Sequence, residues 1–362
     1  MAMPVQSTIE QSLAKINDPV LHQDLMSLGA IENVDIQGGD VSVSVVLGYP
    51  VAGIRQALEK EIEQALSAVP GVEKVVARVQ AIIPSSPAAK GDAICRVKNI
   101  IAVASGKGGV GKSTTAVNLA LALTAEGARV GILDADIYGP SQPQMLGVGK
   151  KEPQIINNQF MVPIEAHGLK SNSMGYLVTE KTPMVWRGPM VSSAFQQLVN
   201  QTDWGDLDYL VIDMPPGTGD IQLTLSQSVP VTGAVIVTTP QDIALLDAKK
   251  GIEMFRKVNV PVLGIVENMA IHTCSNCGHE EHIFGEGGGA AIAKQYQTSL
   301  LGALPLDLSI RENADGGKPS VVADPDSSIS QTYRSIARGV GALLWHVNRT
   351  QVPVPSFEVS DD

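Results

Sequence analysis

Apolar residues change their period along this chain, and each change marks a different kind of element. Positions 31–36 and 41–47 carry the apolar, β-branched pattern of strands and are joined by Gln37-Gly-Gly-Asp40, which predicts a hairpin. Over 51–69, Ile54, Leu58, Ile62 and Leu66 recur at helical spacing on one face, and 72–79 reads as a further strand. Ile83-Pro-Ser-Ser-Pro-Ala-Ala-Lys-Gly-Asp92 has the composition of a linker. Beyond it, 99–104 is apolar and β-branched without alternation, as a strand covered on both faces should be. Residues 115–126 follow as a helix with apolar Val117, Leu119 and Leu123, and 210–213 and 262–268 read as later buried strands.

Strands of that kind interleaved with helices predict an α/β fold, a mostly parallel sheet flanked by helices, behind a small N-terminal α+β domain. The expected organisation is 1–82 for the small domain, 83–95 for the linker, 96–350 for the large domain and 351–362 for an acidic tail. Near the end, Ile329, Tyr333, Ile336, Val340, Leu343 and Val347 form a helical stripe with Arg334 and Arg338 off it, and Ser327 or Ser328 is placed to cap the helix. Such a helix either packs on the sheet or lies on a membrane. Pro353, Pro355 and the acidic Glu358, Asp361 and Asp362 that follow it favour packing, because anionic lipid would repel them.

Composition narrows the class. With 362 residues and 44% hydrophobic content the chain can bury a substantial core. A formal net charge of −11 opposes broad attraction to nucleic acid or anionic lipid. The N-terminus lacks a signal-like charged and apolar pattern, and no apolar run is long enough to span a bilayer, so a cytoplasmic protein with neither nucleic-acid nor membrane partners is expected.

The stretch Gly106-Lys107-Gly108-Gly109-Val110-Gly111-Lys112-Ser113-Thr114 between the 99–104 strand and the 115–126 helix matches G-x-x-x-x-G-K-[ST] in its proper context. Its glycines let backbone N–H groups curl around phosphate, Lys112 is expected to reach the terminal phosphates and Ser113 to hold Mg²⁺. Aspartates then close two later strands, Asp134-Ala-Asp136 and Asp213-Met-Pro-Pro-Gly217. Phosphoryl transfer needs a metal shell and a positioned water, which assigns Asp213 to Mg²⁺ and Asp136 to the attacking water, with Asp134 a helper near the metal.

Cys95, Cys274 and Cys277 are too few for a disulfide framework. Cys274-Ser-Asn-Cys277 sits in a polar insertion after the 262–268 strand, and a soft dithiolate on an accessible loop is a metal-ligand arrangement. A four-thiolate iron–sulfur cubane needs two such chains, bridged about a two-fold axis. His272, His279 and His282 nearby leave a mononuclear Zn²⁺ site open, and a redox dithiol is disfavoured for want of an adjoining helix. Cys95 alone reads as a small buried hydrophobe.

With its second lysine, Lys107, the phosphate loop resembles the deviant Walker A of the MinD, ParA, nitrogenase iron protein and ArsA group. Taken with Asp134-Ala-Asp-Ile-Tyr-Gly-Pro-Ser141, Trp186-Arg-Gly-Pro-Met190, Asp213-Met-Pro-Pro-Gly-Thr-Gly-Asp220 and Glu267-Asn-Met before the C-x-x-C, the chain resembles the Mrp/ApbC iron–sulfur cluster carriers. The resemblance implies a homodimer that binds ATP, hydrolyses it slowly, holds a labile [4Fe–4S] cluster at its interface and passes it to apo iron–sulfur proteins, in contact with cluster-assembly scaffolds. It further implies that Lys107 acts in trans, that 134–141 and 213–220 are switches, that Gly217 approaches the γ-phosphate through its backbone, and that Asn268 contacts adenine. ATP over GTP rests on it too. The N-terminal part is similar to MIP18-type domains but has no thiol in Gly48-Tyr-Pro-Val-Ala-Gly53, where those often carry one, so partner docking or cluster targeting, or a merely structural role, is expected of it rather than cluster ligation. The rival readings are a MinD/ParA-like positioning ATPase without metal and a zinc-stapled regulatory NTPase.

Overall fold

The computed structural model describes residues 6–86, 94, 96–157, 159–177 and 188–350. Cys95, Trp186 and Arg187, and the tail 351–362 lie outside the described residues.

The N-terminal unit runs α1 (Gln6–Leu13), β1 (Ile31–Gln37), β2 (Asp40–Leu47), α2 (Arg55–Ser67) and β3 (Lys74–Ala81). β1 and β2 form the expected hairpin, and β3 adds parallel to β2. Val41, Val43, Val45 and Leu47 alternate inward against Leu58, Ile62 and Leu66 of α2, all buried. The helix begins at Arg55 rather than 51, because 48–54 is a loop that packs against the larger unit: Glu126 receives the Gly53 amide at 2.7 Å.

The larger unit continues with β4 (Val97–Ala104), α3 (Lys112–Ala125), β5 (Val130–Asp134) and α4 (Gln142–Met145). A ribbon of β6 (Ile155–Ile156) and β7 (Phe160–Met161) precedes β8 (Ile164–Ala166), β9 (Leu169–Ser173) and α5 (Gly188–Asn200). Then come β10 (Leu207–Asp213), α6 (Asp220–Ser228), β11 (Gly233–Thr238), α7 (Asp242–Lys257) and β12 (Val262–Glu267). The chain finishes with the short hairpin β13 (His272–Thr273) and β14 (Glu280–Glu281), α8 (Gly288–Tyr296), β15 (Ser299–Ala303), α9 (Leu308–Asp315), α10 (Ser320–Ala323) and α11 (Ser328–Thr350).

Eight strands make one sheet in the order β15-β12-β11-β4-β10-β5-β9-β8, parallel except for β8 against β9. β10 lies between β4 and β5, so the chain leaves β4 for β5 and later returns to fill the gap. That crossing point is where a doubly wound sheet opens a crevice at its carboxyl ends. Register makes those ends level: Asp213 pairs with Val103 on one side and with Asp134 on the other. α3 starts at Lys112, three residues before the 115 read from apolar spacing, because Gly111 at φ 82° turns the chain directly into the helix.

The terminal helix settles between its two readings. Tyr333, Ile336, Val340 and Leu344 are buried, and α11 packs on α3 and β15, so the apolar face is consumed by the fold. Ser327 Oγ accepts from the Ser330 amide at 3.3 Å, the cap anticipated for this helix. Its later turns complete the small unit's core: Ala342 and Trp345 join that cluster, and the Trp345 ring lies 6.1 Å from Tyr49. Arg334 and Arg338, off the stripe, both bond the fully buried Glu126 carboxylate, at 2.7 Å and 2.6 Å.

Candidate functional site

The phosphate loop is shaped by contacts that exclude side chains. Gly109 and Gly111 both stand at φ 82°, the left-handed region that glycine adopts without strain. A Cβ on Gly111 would lie 2.1 Å from Asn268 Nδ2, and one on Gly106 would lie 2.2 Å from the Asp247 backbone of α7. Gly108 faces open space, as a loop meant to receive a ligand should. The buried Val110 turns its carbonyl to Asn268, which donates from Nδ2 at 2.9 Å, so Asn268 holds the loop. Thr114, in the first turn of α3, accepts from Asn118 through its carbonyl at 2.9 Å.

Three strand ends deliver the charged groups. Lys112 Nζ donates to Asp213 Oδ1 at 2.5 Å and to Ser113 Oγ at 3.0 Å, with Asp213 fully buried. The other Asp213 oxygen accepts from Gln142 Nε2 at 2.8 Å, and the same nitrogen donates to the Ser113 carbonyl at 3.1 Å. Ser113 and Asp213 thus share two partners, which brings the expected metal residues together. Their oxygen donors suit Mg²⁺, and the buried Oε1 of Gln142 beside them has no partner among the described residues.

Asp134 is buried next to this pair. Its carboxylate accepts from the amides of Asp136, Ser141 and Gln142 at 3.1, 3.0 and 3.1 Å and from Ser173 Oγ at 3.1 Å, so it anchors the loop ahead of α4. Burial, and then the Asp213 carboxylate, push its pKa up to about 7, against the Gln142 and Asp136 amides and Lys112. Asp136 is more open and is also raised, chiefly by burial. Gly217, at φ 104°, donates its amide to the Ser105 carbonyl at 2.9 Å, beside the start of the loop. Lys107 Nζ reaches Oε1 of Gln241, the residue ahead of α7, at 3.4 Å.

The cysteines sit on a different kind of scaffold. β13 and β14 are two residues each; the Cys274 amide donates to the His279 carbonyl and the Gly278 amide to the Cys274 carbonyl, each at 2.9 Å. Cys274 is half-buried and Cys277 exposed. The Asn276 and Cys277 amides aimed at Cys274 lower its thiol pKa below the usual range. Of the nearby histidines, His272 Nδ1 donates to the Leu306 carbonyl at 3.0 Å and His282 Nδ1 to the Ala270 carbonyl at 2.8 Å. Among the described residues no three of His, Cys, Asp or Glu stand close enough to hold a metal ion. A Cys₂His₂ tetrahedron, open on the sequence, is not assembled among the described residues.

Gln142 is missed in the sequence, whereas Glu267 is read there only as part of Glu267-Asn-Met, without a role. Gln142 was unremarkable there, since a glutamine opening a short helix carries no motif. Glu267 closes β12 and accepts the Gly289 amide at the start of α8, while the next residue, Asn268, grips the phosphate loop. The cysteine hairpin lies between Asn268 and α8, so adjacent residues fasten it to the nucleotide loop at one end and to α8 at the other.

The model of the NUBPL iron-transfer P-loop NTPase family matches residues 96–341, and that of an iron–sulfur cluster assembly protein family matches 6–79. An iron–sulfur cluster carrier protein of Pseudomonas fragi is 63% identical over 286 residues, covering 78% of this chain and 100% of that one. The Escherichia coli K12 iron–sulfur cluster carrier protein is 52% identical over 342 residues, covering 94% and 93%. Among solved structures, a nucleotide-binding protein of Archaeoglobus fulgidus in complex with ADP is similar with a TM-score of 0.57 at 36% identity, covering 65% of this chain and 91% of that one.

Proposed function

Because the chain belongs to the family of NUBPL iron-transfer P-loop NTPases, we propose that it is an ATP-driven carrier that holds a [4Fe–4S] cluster between two copies of itself and delivers it to apo iron–sulfur proteins in the cytoplasm. The observation that carries this reading is the incomplete ligand set. Cys274 and Cys277 offer two thiolates on an exposed hairpin, with no metal-holding group of three ligands around them among the described residues. A cubane needs four thiolates, and a two-fold pairing supplies them. A structural zinc would be enclosed by its own chain, as such sites are.

At the nucleotide, Lys112 and the loop amides bind phosphate, and Asp136, more open than Asp134, orients the attacking water. Ser113 Oγ and the Asp213 carboxylate would hold Mg²⁺, which would supply charge neutralisation on the phosphates. Lys107, parked on Gln241, is free to serve the partner's nucleotide. Gly217 changes partner from Ser105 to phosphate, and Asn268 reads adenine with the amide edge that does not hold Val110. Nucleotide state reaches the cysteines through the Glu267–Asn268 pair, because a shift of the loop pulls on both ends of the hairpin. The unit up to residue 82, joined to 96–350 through the linker 83–95, supplies partner contacts. No helix among the described residues is long and apolar enough to cross a membrane.

The test is iron, sulfide and zinc content with native mass on anaerobically reconstituted protein, beside a Cys274→Ala, Cys277→Ala double variant. About two iron and two sulfide per chain, found in dimers and lost in the variant while ATP hydrolysis persists, is expected. About one zinc per chain with no uptake of iron would overturn the reading, and so would a metal-free protein of unchanged hydrolysis.

A further inference from the structure

Gln142 is a neutral side chain in a place built of charges. Only 1% of it is exposed, and its amide bridges Asp213, assigned to the metal, and the backbone carbonyl of Ser113. The orientation of that amide is fixed by chemistry: the Ser113 carbonyl can only accept, and the Asp213 oxygen is that of a carboxylate already paired with Lys112. Nε2 must therefore face both, and Oε1 is turned the other way. No donor reaches Oε1 among the described residues, and the neighbouring Ser141 Oγ is likewise buried without a partner. Leaving a buried carbonyl unpaired costs free energy that a leucine or methionine of similar size would not incur. The backbone adds to the fixation, since the Gln142 amide is itself held by Asp134.

We propose that Gln142 is a positioning residue of the nucleotide–metal site, whose Nε2 sets Asp213 and the Ser113 backbone and whose Oε1 accepts a hydrogen bond from a water bound to Mg²⁺. The inference rests on the metal assignment made above. It follows from which groups can donate. Phosphate oxygens are acceptors and cannot satisfy Oε1. Mg²⁺ retains several waters when it binds between a carboxylate and phosphates, and each is a polarised donor. Gln142 thereby ties the loop between Asp134 and α4 to the metal, so that loop and cation are read together.

Equilibrium titration of the full-length protein with a fluorescent ADP analogue, in excess Mg²⁺ and in EDTA, separates this role from a packing role. In the wild type Mg²⁺ tightens binding. In Gln142→Met, which keeps the volume and loses both polar ends, affinity falls further in Mg²⁺ than in EDTA, so that the gain from Mg²⁺ drops about tenfold, one charge-assisted hydrogen bond's worth. In Gln142→Glu, a carboxylate facing Asp213 weakens binding in EDTA and enlarges the gain from Mg²⁺. The inference is overturned if Gln142→Met keeps the wild-type gain, or if it loses affinity equally in both media, which would make Gln142 a prop for the phosphate loop or a second partner for Lys112. Should Gln142→Met fail to fold, a gain in Gln142→Glu no larger than wild type overturns it equally. A wild type indifferent to Mg²⁺ would instead remove the metal assignment itself.

Discussion

The phosphate loop and the cysteine hairpin, which we propose as the two sites for charged cargo, are built in opposite ways. In the pocket Asp134 and Asp213 are buried on the ends of adjacent strands, Lys112 opens the helix beside them and pairs with Asp213, and Asp134 is held by backbone amides and Ser173. In the hairpin the ligands stand on two-residue strands, Cys277 is exposed, and the donor set is half of what a cubane takes. A site whose charged groups are buried within one chain can be rigid and dry, which is what electrostatic stabilisation of phosphoryl transfer requires. A site that must be completed by another molecule, and emptied again, has to remain at the surface. The two are nevertheless attached through consecutive residues, Glu267 and Asn268.

The comparison breaks most sharply at Lys112. Lys112→Ala removes the phosphate cation and leaves the buried Asp213 without its counter-charge. ATP hydrolysis is expected to fall by at least about 10²-fold to 10³-fold, with iron binding at the hairpin retained. Parallel assays of phosphate release and iron content check this, and loss of both would mean that the two sites are not separable. Next is Gly111→Ala, where a side chain meets Asn268 and a φ of 82° together. Strain of about 1–3 kcal/mol is expected, seen as a lowered thermal midpoint and weaker ADP binding, whereas alanine at Gly108, which faces open space, costs less than about 1 kcal/mol.

The same contrast explains what was legible in the sequence. The pocket could be read residue by residue, because phosphate binding forces glycines, a lysine and strand-end aspartates into fixed spacing, and the register of β4, β10 and β5 brings them level. The large parallel sheet was likewise visible, since strands covered on both faces carry unbroken apolar runs. The antiparallel β8 and the short α4 were not, being too brief to develop a period. Partnering was less visible still: the tether of Asn268 to Val110, the Glu126 junction with Arg334 and Arg338, and the Gln142 contacts all join residues far apart in the chain. The histidines near the cysteines offered an arithmetic possibility of zinc. Spacing could not reveal that two of them give Nδ1 to backbone carbonyls.

The attachment between the sites yields a smaller effect. Glu267→Ala removes the carboxylate that receives the Gly289 amide, a cap worth about 1 kcal/mol. Alkylation rates of Cys274 and Cys277 in the cluster-free protein, measured with and without ADP and Mg²⁺, should respond to nucleotide in the wild type. The response should disappear in Glu267→Ala and persist in Glu267→Gln, whose carbonyl still accepts. An undiminished response in the alanine variant would uncouple the hairpin from this route while leaving cluster binding untouched.

The smallest effect concerns Asp134, and its sign is fixed by burial. The folded carboxyl titrates near 7, against an ordinary value of 3.8, so between those values the folded chain holds a proton that the unfolded chain has released. Folding is therefore favoured by this group at low pH, and the contribution is lost as pH rises through about 7. On passing from about pH 6 to pH 8 the thermal midpoint of the wild type should drop by about 2 °C relative to Asp134→Asn, which lacks the titration. Scanning calorimetry of both proteins across that range checks the difference. A wild-type slope parallel to that of the variant would mean that the three amides and Ser173 around Asp134 outweigh its burial and its proximity to Asp213, and that the carboxylate is already charged when the pocket is assembled.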